Sequence, residues 1–464
     1  MASRTHSWHR FLQAKAVLCA LLLLQGCAGH EAKTLRMRTA LDAGNTASAI
    51  ASLNEELGVK GDSELPKDLT NSDRALLLLD RATVQQSRVK FDLSKRDFEA
   101  SDKAIDMLDL SHGVSDDVAS YMLSDSAGRY RAPPYEKLLI NTLNMLNYLE
   151  TRDVSGARVE ARRFEVMRKY LKDQTGVVSS GSLSLGSAIA GFTCELSGET
   201  DEALRYYDEA LADGRFPTFG RTLPRLVAQG SYRSPRLRAL LPAEDAPGVA
   251  DPATATTAHA SDEGEVFAVV GYGRVPHKIP ERIPIGLALT MFSGSLSPGD
   301  RTRANEIAAQ GLVTWVNFPA LAPSRDYSDK PSVLIDGKPV QVDVAIDLDQ
   351  EVRAEWKKLE GPIIVKSITR MITRFAVGKG VRAAAGKNDG IGFLASLVAQ
   401  ATMTALDTPD TRSWESLPAR IAIARVRVPP GAHTVDLEAR GMRRSQAIKL
   451  EPGGWSAVTL MALR

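Results

Sequence analysis

Five histidines follow the N-terminal leader: His30, His112, His259, His277 and His433. They stand too far apart to form a two-histidine metal motif. They are expected to be structural or surface groups, and neither metal nor cofactor is expected. Cys19 falls inside the leader, Cys27 closes it, and Cys194 stands alone between Phe192 and Leu196. No thiolate cluster or intramolecular disulfide is therefore expected, and Cys194 reads as a buried thiol. Ser184 and Ser297 miss the spacing of a nucleophile elbow. The stretch from Gly380 to Gly386-Lys387-Asn388 resembles a phosphate loop only superficially: it has one residue too many between its glycines, and Asn388 replaces the metal-binding hydroxyl. No nucleotide is expected. Glu160 and Glu165 lie on a charged stretch with Arg158, Arg162 and Arg163, where pairing along a helix is the simplest reading. In the segment 410–418, Arg412 is placed to clamp Asp410 or stack on Trp414, fixing the start of the next strand.

The elements that hold these residues begin with a secretory signal. Arg4, Arg10 and Lys15 precede an apolar run, 16–24, too short for a bilayer, which needs about twenty residues. Leu24-Gln25-Gly26-Cys27 closes the run and resembles the bacterial lipoprotein signal, with Gln25 tolerated rather than typical. The resemblance implies that 1–26 is a signal peptide and that Cys27 becomes an acylated N-terminus. Ala28 follows where lipoproteins kept in the inner membrane often carry Asp, which implies the outer membrane, facing the periplasm. Loss of the three leader charges turns the net +2 into about −1. A nucleic-acid partner is therefore not expected.

Residues 27–241 read as helices in antiparallel pairs. In the clearest unit, 186–216, Gly191, Ala203, Tyr207 and Ala210 fall at tetratricopeptide-like intervals, with Thr200 expected to cap the second helix. Similar units lie at 135–172 and 76–108, with a fragment at 39–56 turning at Gly44-Asn45. Such arrays expose concave surfaces for peptides or proteins. The expected partner-binding residues are Tyr148, Arg158, Arg162 and Tyr207.

Residues 242–263, rich in Ala, Thr, Pro, Asp and Gly, read as a flexible linker. Residues 264–464 then read as a β-rich domain, an antiparallel sheet or sandwich. Asp336-Gly337 marks a hairpin, and two further strand pairs are expected across Pro429-Pro430-Gly431 and Gly453-Gly454. Helices near 350–405 interrupt the strands. One ends at Leu359 and a second restarts at Gly361-Pro362, with an apolar stripe of Ile364, Ile368, Met371, Ile372 and Phe375. Lys366, Arg370 and Arg374 form a basic stripe. The stretch 391–405 is almost uncharged. These helices read first as cover for the sheet, with the membrane surface as the alternative contact. The fold class is thus α+β: a tetratricopeptide-like helical array, then an antiparallel β domain with a helical insertion.

Asn144-Met145-Leu146-Asn147-Tyr148-Leu149, Asp153 and Ala157-Arg158-Val159-Glu160-Ala161-Arg162 resemble motifs of an uncharacterised family of Gram-negative outer-membrane lipoproteins with tetratricopeptide-like N-terminal helices. The segment 410–418, Val428-Pro429-Pro430-Gly431 and Val435 are similar to that family's C-terminal region. The likeness spans most of residues 27–464, but only these short motifs are specific. It implies no established activity and no catalytic residue. Some members lie near genes for peptidoglycan-synthase activators, which implies a link to the cell wall. The expectation is a non-enzymatic, lipid-anchored scaffold for a periplasmic or outer-membrane protein. The alternatives are a peptidoglycan-acting or glycan-binding protein, or an accessory lipoprotein of secretion or surface-polymer assembly.

Overall fold

The computed structural model describes residues 29–69, 73–110, 130, 132–175, 180–213, 216–241, 263–309, 315–325, 329–384 and 408–464. Among them the chain is mixed α+β, with fourteen helices and three sheets. The leader, Cys27, the linker, and the stretch 391–405 lie outside the described residues, as do His112, His259 and Gly386 to Asn388.

Eight helices pack as successive pairs: α1 (His30–Asp42) with α2 (Thr46–Leu57), α3 (Arg74–Ser87) with α4 (Phe91–Leu110), α5 (Pro134–Glu150) with α6 (Val154–Thr175), and α7 (Ser180–Leu196) with α8 (Thr200–Ala210). The sequence signals explain most turns. Gly44 takes φ +73°, and the Asn45 side chain accepts from the Ser48 amide, capping α2. A Cβ on Gly191 would lie 2.7 Å from the Tyr207 ring, so this glycine permits the α7–α8 crossing. Thr200 does not cap α8. Gly198, at φ +75°, completes the turn early, so Glu199 takes the cap position without a side-chain bond. Three short helices follow: α9 (Phe219–Thr222), α10 (Pro224–Gln229) and α11 (Pro235–Arg238).

The strands form a sandwich whose inner sheet lies against the helices. The inner sheet joins β1 (Gly264–Tyr272), β6 (Asp343–Asp347), β7 (Arg420–Val428) and β10 (Trp455–Ala462) in the order β10-β1-β7-β6. The outer sheet joins β4 (Ser332–Ile335), β5 (Lys338–Pro339), β8 (Gly431–Ala439) and β9 (Met442–Leu450) in the order β5-β4-β8-β9. Alternate residues of the inner sheet face opposite cores. Phe267, Val269, Ile421, Ile423 and Met461 join the helical core, while Val266, Ala268, Val270, Ala422 and Val458 face the outer sheet. Burial on both faces explains why β1, β10 and the stretch 421–424 of β7 read as near-continuous apolar runs.

The Asp336-Gly337 hairpin forms as expected, with φ of +51° and +75°. The other two expected pairings do not. At Pro429-Pro430 the chain leaves the inner sheet for the outer one, and at Gly453-Gly454 it returns. β7 therefore pairs with β1 and β6, and β8 pairs with β9 through an Arg440-Gly441 turn. Nor is the inner sheet wholly antiparallel, because β10 runs parallel to β1. Partner choice here is set by the two-layer packing, which a local apolar pattern cannot encode.

A smaller unit lies between β1 and β7. β2 (Lys278–Pro284) pairs with β3 (Trp315–Leu321), and α12 (Ile285–Phe292), α13 (Pro298–Ala309) and α14 (Leu348–Ala384) surround a separate core. α14 is one assigned helix with Pro362 inside, so the expected break at Leu359 is absent. Proline lacks the amide that would bond one turn back, but its φ is helical, so the chain continues. The stripe Ile364, Ile368, Met371 and Ile372 is buried against α12, α13 and β3. Lys366 is exposed, whereas Arg370 is wholly buried, so the basic stripe does not form a surface. Residues four apart on an α-helix drift by about 40° each, and α14 is buried almost all round near Arg370. Arg374 lies on α14, and its side chain is outside the described residues. No described helix is long and apolar enough to cross a membrane.

Candidate functional site

Among the described residues, two places that gather polar side chains bear on function: a buried seam joining helices to sandwich, and an open groove at one end of the helical array.

The seam forms where residues 411–416 lie against α1, α3 and α5. Trp414 is fully buried, with its ring edge-on to Phe98 at 5.7 Å. Its indole donates to Thr83 Oγ1 at 3.0 Å, and its amide donates to Glu136 Oε1 at 3.0 Å. The Ser416 amide donates to Asp80 Oδ1 at 2.8 Å. Arg38 of α1 donates to Glu415 Oε2 at 2.5 Å and to Glu31 Oε1 at 2.6 Å. His30 Nδ1 lies 2.8 Å from Asp73 Oδ2, and Lys33 donates to the other Asp73 oxygen at 2.9 Å. The clamp expected in segment 410–418 is present: Arg412 Nε and Nη2 both reach Asp410 at 2.8 Å. Its guanidinium lies over the Tyr130 ring rather than on Trp414.

Burial dominates the electrostatics. It pushes the Asp80 carboxyl up to about 7, with help from the charge of Glu415, and it also raises Glu415 and Glu136. Burial alone would lower His30, but the Asp73 hydrogen bond and the charges of Glu415, Asp73 and Asp80 outweigh it and raise the imidazole. Glu160 on α6 is likewise pushed up to about 7 by burial. A carboxyl raised in the fold binds protons that the unfolded chain releases, so its contribution fades as pH rises through the folded value. The raised His30 has the same sign. His277, brought down to about 4 by burial and then by Arg38, Arg325 and Arg274, has the opposite sign. Asp80, Glu160 and His30 together exceed it, so folding stability should fall from about pH 5 to about pH 8. Urea titrations at both pH values measure this, and Asp80→Asn should shrink the difference. An equal pH dependence in that variant would refute the assignment to Asp80.

Beside the seam, Arg38, Arg274, His277, Arg325, Asp349 and Glu415 line a cleft of about 20 Å³. That is room for about one water, far below the roughly 300–1,000 Å³ of a ligand pocket. Arg274 and Arg325 both engage Asp42 Oδ1, at 2.5 and 2.6 Å. Cleft and seam therefore act as a lock between elements.

The groove is larger, about 510 Å³, and open to solvent. Ala47, Ile50, Ala51 and Glu55 of α2 line it together with Val59, Lys60 and Arg88. Its floor is rigid. Fully buried Arg81 holds Asp97 through two bonds of 2.7 and 2.9 Å and donates to Asn54 Oδ1 at 2.9 Å. Asn54 and Arg88 then both donate to Asp62, at 2.9 and 3.0 Å. The groove thus offers apolar residues beside fixed polar groups.

The expected partner-binding residues do not converge on it. Tyr207 is fully buried, donating to Glu195 Oε2 at 2.7 Å and accepting from Arg425 at 2.8 Å, so it is core rather than surface. Packing decides this: the Gly191 and Ala203 spacing that places Tyr207 at the helix crossing also encloses it. Tyr148 is half-buried and bonded to Glu99. Arg158 pairs with Glu199 across the helix pairs, not with Glu160. Arg162 is exposed on α6. Arg163 pairs with Glu160 at 3.1 Å and Arg168 with Glu165 at 2.7 Å, the intrahelical pairing expected for both acids.

Cys194 is buried as expected, and its thiol is pushed up to about 12 by burial and then by Glu202 and Glu199. The ligand atoms of these three residues lie within 4.8 Å of one another. Arg158 already neutralises Glu199, and the thiol keeps its proton at neutral pH, so this group is poorly set up for a cation. Ser184 is buried within α7, and Ser297 bonds the Asp300 amide at 3.1 Å as the start of α13, so neither is presented as a nucleophile. Compared with known proteins, the chain matches no family model, no curated protein and no solved structure.

Proposed function

We propose that this protein is a lipid-anchored scaffold of the cell envelope, binding a protein partner through its helical half. In this reading Cys27 is acylated and holds the chain at the outer membrane, facing the periplasm. The paired helices are a tetratricopeptide-like array ahead of the β domain. The observation that carries the reading is the 510 Å³ groove at the α1–α3 end of the array. It is open, lined in part by small and apolar residues of α2, and floored by the Arg81–Asp97–Asn54–Asp62 network. A rigid floor lowers the ordering cost of binding, and the mixed lining suits an extended polypeptide segment better than a single charged ligand. The polar cleft beside the seam has too little room for a substrate.

Ala51→Arg and Lys60→Glu change exposed groove positions without touching the buried network. With a photo-crosslinking residue at position 47, the yield of the partner adduct in cells should fall about tenfold, near 1.4 kcal/mol of binding. Arg162→Glu, away from the groove, should leave the yield unchanged. If Arg162→Glu abolishes the adduct and the groove variants do not, the partner surface is α6.

A further inference from the structure

The lipid reading has a geometric consequence. A single residue, Ala28, separates Cys27 from Gly29, so their Cα atoms stand at most about 7 Å apart. The described chain does not begin on a loose arm. The Gly29 carbonyl accepts from the Ala32 and Lys33 amides at 3.0 and 3.3 Å. The Glu31 amide donates to Thr411 Oγ1 at 3.2 Å, and buried His30 is held by Asp73. A Cβ on Gly29 would meet Thr411 Oγ1 at 3.3 Å and the Thr408 methyl at 3.5 Å. The start of α1 is therefore tied to the body through Glu31–Thr411 and His30–Asp73, and in the sequence only Ala28 stands between it and Cys27.

Thr408 thus lies at the same point on the body. On α1, Ala32, Leu35 and Arg36 are exposed next to that point, and Leu35 is half exposed for a leucine of its size.

Resting on the lipid anchor at Cys27, we infer that the body sits directly on the phospholipid leaflet, with the first turns of α1 and the residues around Thr408 facing the headgroups. A long spacer would leave the protein free to tumble above the membrane. Here the anchor fixes its orientation, and exposed Lys449 on β9, an element that does not pack against α1, serves as the distant reference.

Full-length acylated protein is reconstituted into phosphatidylethanolamine–phosphatidylglycerol vesicles, with a bimane label on Ala32→Cys, Leu35→Cys or Lys449→Cys. Buried, protonated Cys194 does not compete for the label. Spin-labelled headgroups should quench positions 32 and 35 at least threefold more than position 449 on the outer sheet. Ten Gly/Ser residues inserted between Ala28 and Gly29 should keep the protein on the vesicles but bring the three quenching levels together. Vesicle-bound protein with equal quenching at all three positions overturns the seating. Failure of the protein to float with vesicles overturns the lipid anchor itself, a separate outcome.

Discussion

Arg425→Met is expected to destabilise the protein by about 3 kcal/mol, the lower end of the cost of breaking a buried pair, because Arg425 is buried while Glu195 and Glu265 are partly exposed. Arg425 is buried within β7 and reaches into the helical layer. It donates to Glu195 at 2.7 Å and to Tyr207 Oη at 2.8 Å, and it also holds Glu265 of β1. Its guanidinium lies 5.3–5.6 Å from the ring centroids of Phe192, Tyr207 and Phe219. Methionine replaces most of the volume but none of the charge. The triple variant R425M/E195Q/E265Q should therefore regain much of the lost stability in a urea titration. If R425M alone matches the parent midpoint, the two glutamates do not depend on this arginine.

Trp414→Ala should cost about 3–5 kcal/mol, by opening a cavity among Phe98, Thr83 and the start of α5. The more telling result concerns cooperativity. The helical core includes Phe267, Ile346, Ile423 and Met461 of the sandwich, so helices and inner sheet bury one continuous surface. Chain cleavage introduced between residues 250 and 251 should leave the two pieces co-migrating on a sizing column and unfolding in one transition. Separate elution, or two transitions followed by far-ultraviolet and tryptophan signals, would show two independent domains. In W414A the cleaved pieces should part at lower urea than in the parent.

Local patterns carried the helix pairs, because spacing, turn glycines and small residues act over a few residues. They carried the Asp410–Arg412 clamp for the same reason. The seam was harder to see. Beyond the segment 410–418 itself, its signal is Asp80-Arg81 directly after Leu76 to Leu79, charges within a helix buried along nearly its whole length. Charges there must find distant partners, and those partners, Ser416 and Asp97, are not deducible from spacing. The pairings of β7, β8, β9 and β10 are a different case: strands flank both turns as expected, with β8 and β9 longer than their apolar patterns, but each strand's neighbour is chosen by layer packing across the whole chain. Tyr207 and Arg370 show the same limit for polar side chains. A polar tip argues for exposure only when no buried partner waits for it, and for Tyr207 both Glu195 and Arg425 do.

The parallel pairing of β10 with β1 bears on the order in which the molecule can be assembled. β10 follows every other described element in the sequence, yet it contacts α3 and α5 and joins the inner sheet beside β1. Until those last residues emerge, the apolar faces of α3 and α5 lack part of their cover. A chain in which β10 has not yet been made is therefore short of its final core and exposed to aggregation for that interval.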